Sequence, residues 1–227
     1  DYGRVIKIPD NNMDFATAST LPIALETMHN AIVTIGNFSK GQTILIQGAS
    51  SGVGLMGLQI AKHLGAKVVI GTSTKPEKFD KLKSIGADLV VNSKDKDWVD
   101  HVLQATNNEG VDLIIDQLSG YTINENMRAS KVKGTIVNVG RLAGGNTEFN
   151  CDLHALRRIN YRGVTFRTRS INEIRDVYSK MWSDLGDLVV KGKLSLPIEK
   201  IFEFDDVSDA LSCMRENQHF GKLILKV

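Results

Sequence analysis

The segment from Thr43 to Gly71 limits the possible folds more than any other part of the chain. An apolar run, "TILIQ" (43–47), leads into four glycines within ten residues: Gly48, Gly52, Gly54 and Gly57. An unbroken helical pattern follows, and then a second apolar run, "KVVIG" (67–71). Strand, glycine turn, helix and strand in roughly thirty residues make one βαβ unit, whose strands are parallel because the helix carries the chain back across the sheet.

The alternation continues downstream. Further β-branched runs are "DLVV" (88–91), "VDLIID" (111–116), "GTIVNVG" (134–140) and "RGVTFRT" (162–168). Helical patterns lie between them, near 53–64, 77–85, 97–106, 122–130 and 153–160. Near-continuous apolar strands with helical crossovers predict an α/β fold: a doubly wound, six-stranded parallel sheet of the Rossmann type, helices on both faces, strand order 3-2-1-4-5-6. With 42% of its 227 residues apolar, the chain can fill such a core. The flanks break the pattern. Before the first strand come "GRVIKIP" (3–9) and helical segments 14–19 and 23–35. After the sixth come a long helix (172–191), "LPIEKIFEF" (196–204), a helix led by Asp205 and Asp206, and "GKLILKV" (221–227). These extended ends read as remnant strands of a second lobe.

Charge narrows the function. The 28 basic and 26 acidic residues are spread evenly and leave a net charge of +2, with no basic stripe of the kind that tracks nucleic acid. No apolar stretch reaches the ~18 residues of a membrane span, and the start of the chain lacks a signal-peptide pattern. Cys151 and Cys213 stand alone, and no histidine is three or four residues from another. No metal site is expected, and two reduced thiols fit a cytoplasmic protein.

Gly52, Gly54 and Gly57 fit G-x-G-x-x-G between a strand and a helix, the arrangement that seats a dinucleotide pyrophosphate on a helix N-terminus. By the motif, the first glycine permits the turn, the second lets the backbone approach the phosphates, and the third lets the helix pack on the strand. A carboxylate about 20 residues past the first glycine would hold the ribose of NAD. That position falls near Thr72, and no acid occurs between Lys67 and Pro76. Thr72 and Ser73 offer hydroxyls there, and Lys75 and Lys78 offer charges, a set suited to the 2′-phosphate of NADPH. "GASSGVG" also matches the turn of short-chain dehydrogenases, which need a Tyr-x-x-x-Lys helix. Tyr2, Tyr121, Tyr161 and Tyr178 are followed four residues on by Ile6, Glu125, Thr165 and Trp182, so that reading fails.

Together these stretches resemble the zinc-free quinone oxidoreductases, the zeta-crystallin-like branch of the medium-chain dehydrogenase/reductase superfamily. The resemblance rests on "ATASTLPIALETMHNAI" (16–32), the unit from Gly41 to Thr72, "IGADLVVNSKD", "GVDLIIDQLSG", "GTIVNVGRLAGG", "RGVTFRTRS" and "GKLILKV", in the family's order. It implies pyrophosphate contacts at Ser51, Gly52, Val53 and Gly54, with Gly57 packing the helix. It implies 2′-phosphate contacts at Ser73 and Lys78 and an adenosine contact at Asn92. Val139, Gly140 and Arg141 would line the nicotinamide side, with Phe166, Arg167 and Lys222 completing the pocket edge. Ser51 replaces a frequent glycine, which a negative φ permits, and Ser93 stands where a tyrosine often follows the asparagine.

The resemblance implies a domain plan too. Residues 1–36 would be a linker strand and helices from the end of an absent GroES-like catalytic domain, 37–192 the NADPH-binding Rossmann domain, and 193–227 a strand–helix–strand return. The expected function is NADPH-dependent hydride transfer to a quinone or activated enone, with the isolated chain binding nucleotide but not turning over. An enoyl or alkenal reductase, or a non-catalytic NADP(H)-binding sensor, are the alternatives. No catalytic residue is assigned. Thr27 fits either the nicotinamide or helix packing, and Asp116 either a ligand contact or a loop cap. A homodimer is expected through the edge strand 162–168, centred on Val164, whose flanking arginines would otherwise protect the edge.

Overall fold

A computed structural model describes residues 3, 5–9, 13–217 and 219–227. Two short helices, α1 (Phe15–Thr20) and α2 (Pro22–His29), precede the sheet. Asp14 caps α1 by accepting from the Thr17 amide, and Pro22 opens α2, where a missing N–H costs nothing. The sheet contains β1 (Thr43–Ile46), β2 (Val68–Thr72), β3 (Leu89–Val91), β4 (Val111–Asp116), β5 (Ser130–Asn138) and β6 (Asn160–Gly163). Its order is β3-β2-β1-β4-β5-β6, with every neighbouring pair parallel, as the sequence pattern predicts. The crossovers run through α3 (Gly52–His63), α4 (Phe79–Ile85), α5 (Trp98–Ala105), α6 (Ile123–Ala129) and α7 (Cys151–Arg157).

Because side chains alternate across a strand, the continuous apolar runs feed two cores. Ile44, Ile46, Val69, Leu113, Ile115 and Val137 join one core, with α2, α3 and the long helix α8 (Ile171–Val190). Leu45, Ile70, Ile114 and Ile136 join the other, with Trp98, Val99 and Val102 of α5 and Met127 of α6. Val111 shares this second core despite having the parity of Leu113, because the pairing with β5 shifts register between the two. Each fully buried aliphatic side chain here contributes about 1.5–3 kcal/mol relative to exposure. Ser170 and Glu173 close a capping box on α8. Buried His29 joins α2 to this helix by a 2.7 Å contact with Asp184 Oδ2.

The C-terminal segment forms β7 (Ile198–Glu203), α9 (Val207–Arg215) and β8 (Lys222–Lys226), with β7 and β8 a separate parallel pair. Among the described residues no helix is long and apolar enough to cross a membrane.

Three expectations need correction. The sixth strand spans Asn160–Gly163 rather than 162–168. Val164 follows it, buried in the first core, and its amide donates to Asn138 O, so it is not a free edge donor. The periodic segment 23–35 is not one helix. The last turn of α2 gives way to a π-helical turn, Asn30–Ile35, with the Gly36 amide reaching back to Ala31 O. Residues 5–9 lie outside any strand, and Ile6 packs on the first core instead of on a β partner.

Candidate functional site

Parallel strands bring all their C-terminal ends to one edge, and β1 and β4 are the neighbours between which the strand order reverses. A crevice opens at such a point. The first segment on this edge is the turn from Gln47 to Ser51. Gly48 has φ of +67°, a conformation that favours glycine. The tight turn therefore belongs to Gly48 and not to Gly52, which begins α3 with helical backbone. Gly54 takes the close approach: a Cβ there would stand 2.6 Å from Gly48 O and 2.7 Å from Ala49 Cα. A Cβ on Gly57 would stand 2.8 Å from Ile46 Cδ1 and 2.9 Å from Met28 Sδ, so the missing side chain permits the helix-on-strand packing the motif predicts.

Ser51 sits at the N-cap with φ of −72°, so replacing glycine strains nothing. Its Oγ accepts from the Gly54 amide at 3.0 Å and donates toward Gly48 O and Gln117 Oε1. That removes Gly54 from the amides free to meet a ligand. The Gly52 and Val53 amides have no acceptor among the described residues and lie at the positive end of a twelve-residue helix. Lys222 lies over them. Its Cδ and Cε would be 3.0 Å from a Cβ on Gly52, and burial lowers its ammonium pKa. An isolated bridge from Ser51 to Gly221 fixes this approach. Lys222 thus joins the phosphate end of the site and not its outer rim.

Behind the turn runs a polar network that hydropathy does not reveal. Gln47 Nε2 donates to Asn126 Oδ1 at 2.6 Å, and Gln47 Oε1 accepts from Thr72 Oγ1 at 2.8 Å. Thr72 Oγ1 also accepts from the Gly48 amide at 3.0 Å. Thr72 is fully buried, so it braces the turn and does not offer its hydroxyl to a ribose. Gln117 Nε2 donates to the carbonyls of Gln47 and Gly48. Asp116 is a loop cap: its Oδ1 accepts from the Leu118 and Ser119 amides at 2.9 Å. Burial raises its pKa, against the opposing pull of those two hydrogen bonds. Ser119, held at φ of +56°, donates to Gly140 O, and Asn138 Nδ2 reaches both Ser119 Oγ and the Tyr161 hydroxyl. Gln47 and Gln117 were absent from the sequence prediction. The available signal was a polar amide immediately after each of the two strands flanking the crevice.

The other predicted residues occupy the same edge without all converging. Ser73 is buried after β2, its Oγ 3.5 Å from Ser50 Oγ. Lys78 is only 4% exposed, and its Nζ donates to the carbonyls of His219 (2.8 Å) and Asn217 (3.2 Å). Asn92 is occupied within its own loop, donating to Asp95 Oδ1 and accepting from the Lys94 amide. Ser93 pairs with Tyr121. The amides of Val139 and Gly140 both donate to Asp116 O, and a Cβ on Gly140 would meet Gln117 O at 2.5 Å. Arg141 is exposed, as is Arg167. Phe166 is half-buried under the Arg169 guanidinium. Thr27 is half-buried on α2.

The model of the zinc-binding dehydrogenase family matches residues 52–183, more than half the chain. The chain belongs to the zinc-binding dehydrogenase family. Among curated proteins it is similar to the highly reducing polyketide synthase apmlA of Arthrinium phaeospermum, with 29% identity over 96% of this chain and 9% of that enzyme. It is 28% identical to the highly reducing polyketide synthase 40 of Fusarium pseudograminearum, over 97% of this chain and again 9% of the enzyme. The chain thus spans about a tenth of the length of these relatives. Among solved structures, the CurK enoyl reductase superposes with a TM-score of 0.85 at 25% identity, covering 100% of this chain and 66% of that one. A quinone oxidoreductase of Pseudomonas syringae gives 0.86 at 24% identity, covering 98% and 67%, a likeness of fold.

The zinc-binding dehydrogenase fold implies a nicotinamide dinucleotide, and the donors at this edge fit one. Two open amides, a helix N-terminus and Lys222 suit a pyrophosphate, and no carboxylate guards the end of β2. Among the described residues no three His, Cys, Asp or Glu side chains are grouped so as to hold a metal ion.

Proposed function

We propose that this chain is the nucleotide-binding part of an NADPH-dependent reductase acting on a quinone or an activated enone. The observation that carries the reading is the α3 N-terminus: open Gly52 and Val53 amides, Lys222 above them, and a glycine turn held from behind by Gln47, Thr72 and Gln117. The amides and Lys222 bind the pyrophosphate, and the cationic, acid-free end of β2 takes the 2′-phosphate. The loops after β4, β5 and β6, carrying Val139, Gly140, Arg141, Phe166 and Arg167, orient the nicotinamide half and exclude water from one side. Bound NADPH supplies the hydride, and the protein's part is orientation.

A second reading, reduction of an enoyl carbon–carbon double bond, is favoured by the likeness to the CurK enoyl reductase and to reducing polyketide synthases along nearly the whole chain. We also propose a homodimer formed through the free edge of β6, in a cytoplasmic protein. Titrating the chain with NADPH and NADH tests the nucleotide reading. Tighter binding of NADPH is expected, and equal affinity, or none for either, would overturn it. NADPH oxidation by the full-length protein with a quinone, an enal and an enoyl thioester separates the two chemistries.

A further inference from the structure

We propose that the cleft between α3, α4 and residues 193–197 is a binding site for a small organic phosphate, separate from the dinucleotide edge.

The cleft has a volume of about 520 Å³, within the ~300–1,000 Å³ that holds small molecules. Its floor is apolar: Leu196 and Phe220 are buried there, with Ile85 and Pro197 half-buried beside them. Its rim is cationic. Lys62 and His63 come from the end of α3, Lys81 from α4 and Lys193 from the stretch after α8, and no described Asp or Glu lines it. These groups are not equally engaged. Lys62 Nζ donates to Asp88 Oδ1 at 2.5 Å, and His63 Nε2 lies 3.3 Å from Lys193 O. The Lys81 ammonium stands over the Phe220 ring, 5.3 Å from its centroid, directly above the apolar floor. Neither it nor the Lys193 ammonium makes a hydrogen bond or ion pair among the described residues.

The walls are set before any ligand arrives. Gln59 donates to Ser195 O at 2.8 Å and accepts from the Ser195 amide at 3.1 Å. The Lys193 amide donates to Leu188 O, and the side chains of Leu194 and Leu196 anchor the same stretch in the first core. Pro197 O accepts from the Lys222 amide at 2.9 Å. A cleft so braced loses little conformational freedom on binding. It is also remote from the pyrophosphate seat, since His63 lies about 16 Å along α3 from Gly52 at 1.5 Å per residue. One turn before Lys81, the Lys78 ammonium is held by the carbonyls of Asn217 and His219 and faces away into them.

The donor set favours phosphate over carboxylate. A lysine ammonium is a point charge with rotatable donors, whereas planar carboxylates are best met by the fixed fork of arginine, which the rim lacks. Ammonium groups converging from separate elements suit a tetrahedral group with three acceptor oxygens and nearly two charges. The floor below them suits an apolar body attached to that phosphate.

The test titrates the chain with naphthyl phosphate, read by fluorescence and by amide chemical shifts, with naphthol, naphthoate and inorganic phosphate as comparisons. Saturable binding of naphthyl phosphate is expected, with shifts at residues 59–63, Ser84 and Ser195 and none at Gly52 or Val53. Naphthol and naphthoate should bind ~10-fold more weakly for want of charge, and inorganic phosphate ~10-fold more weakly for want of an apolar body. Lys81→Ala combined with Lys193→Ala should weaken naphthyl phosphate by ~10-fold or more. Lys222→Ala, at the dinucleotide edge, should leave it within about twofold. Lys81 and Lys193 are exposed, so the double variant keeps its fold, which its amide spectrum checks. No saturation, shifts confined to Gly52 and Val53, naphthoate binding as tightly as naphthyl phosphate, or full affinity in the double variant would each overturn the proposal.

Discussion

Substituting Gly54 by alanine should damage both stability and nucleotide binding, for a reason visible in the turn. The added Cβ would lie 2.6 Å from Gly48 O and 2.7 Å from both Cα and O of Ala49. These are backbone atoms with no rotamer to change. To restore a contact of roughly 3.5 Å the first turn of α3 must retreat by about 0.9 Å. That retreat is resisted by Leu55, Met56, Leu58 and Ile60, all fully buried on the same helix. Overpacking of this kind costs about 1–3 kcal/mol. Alanine's better helix propensity offsets at most ~1 kcal/mol. A net loss of about 1–2 kcal/mol follows, roughly 2–8 °C in Tm for a chain of this size. Gly52→Ala is the control, because the atoms nearest its Cβ are Cδ and Cε of Lys222 at 3.0 Å, a flexible stem that can swing aside, while the backbone Gly221 O stands at an ordinary contact distance of 3.4 Å. It should leave stability within ~0.5 kcal/mol of wild type and still weaken NADPH, since it displaces Lys222 and crowds the open amides. Urea unfolding with a shared m-value, followed by NADPH titration, reads both. A Gly54→Ala protein as stable as wild type, or a Gly52→Ala protein destabilised equally, would refute the assignment of the close approach to Gly54.

Other outcomes follow from the same geometry. Thr72→Val removes the hydroxyl that joins Gln47 Oε1 to the Gly48 amide and should cost about 1–3 kcal/mol in urea unfolding, with Thr72→Ser recovering most of it. Asp116, whose carboxyl pKa burial raises, holds its proton more tightly folded than unfolded. Its contribution is therefore intact in acid and is lost as pH rises from the unfolded value of ~3.9 through the folded one. Asp116→Asn keeps an acceptor for the Leu118 and Ser119 amides, so its stability relative to wild type should rise with pH across that window in pH-dependent unfolding. If a dimer forms through β6, the amides at its outer edge belong to Tyr161 and Gly163, because those of the alternate residues point inward, as Val164 does toward Asn138 O. Gly163→Pro, with open space around its missing Cβ, should dissociate the dimer in sedimentation while leaving the sheet folded.

The parallel sheet was legible because each strand is buried on two faces, so β-branched runs stand out without any partner information. Strand β6 was misplaced for the converse reason. It is an edge strand of polar residues, "NYRG", with none of its four residues fully buried, and the apolar Val164 and Phe166 just beyond it imitate a strand while packing into the first core from a loop. Within the site, the glycine spacing pointed to the right turn but gave the turn itself to Gly52 and not to Gly48. Gly48 lies outside the G-x-G-x-x-G frame, and only the backbone shows its conformation. Lys78 looked available because a sequence shows charge but not the distant carbonyls of Asn217 and His219 that occupy it. Gln47, Gln117 and Asn126 were missed because a buried amide reads like a surface residue until the strand ends and the helix α6 that carry these side chains pack together.

The bridge between Ser51 and Gly221 also has a consequence for the order of events during synthesis. The two residues are about 170 positions apart, yet Gly221 sets the Lys222 stem over the turn that Ser51 caps. At ~5–20 residues per second, a ribosome exposes Ser51 on the order of 10–30 s before it exposes its partner. Throughout that interval β1, β2 and α3 can assemble from neighbouring sequence, with the glycine turn shaped but uncovered. The phosphate end of the site is thus the last part of the sheet edge to be finished, and a nascent chain stalled before Gly221 would present a folded sheet with an incomplete anion seat.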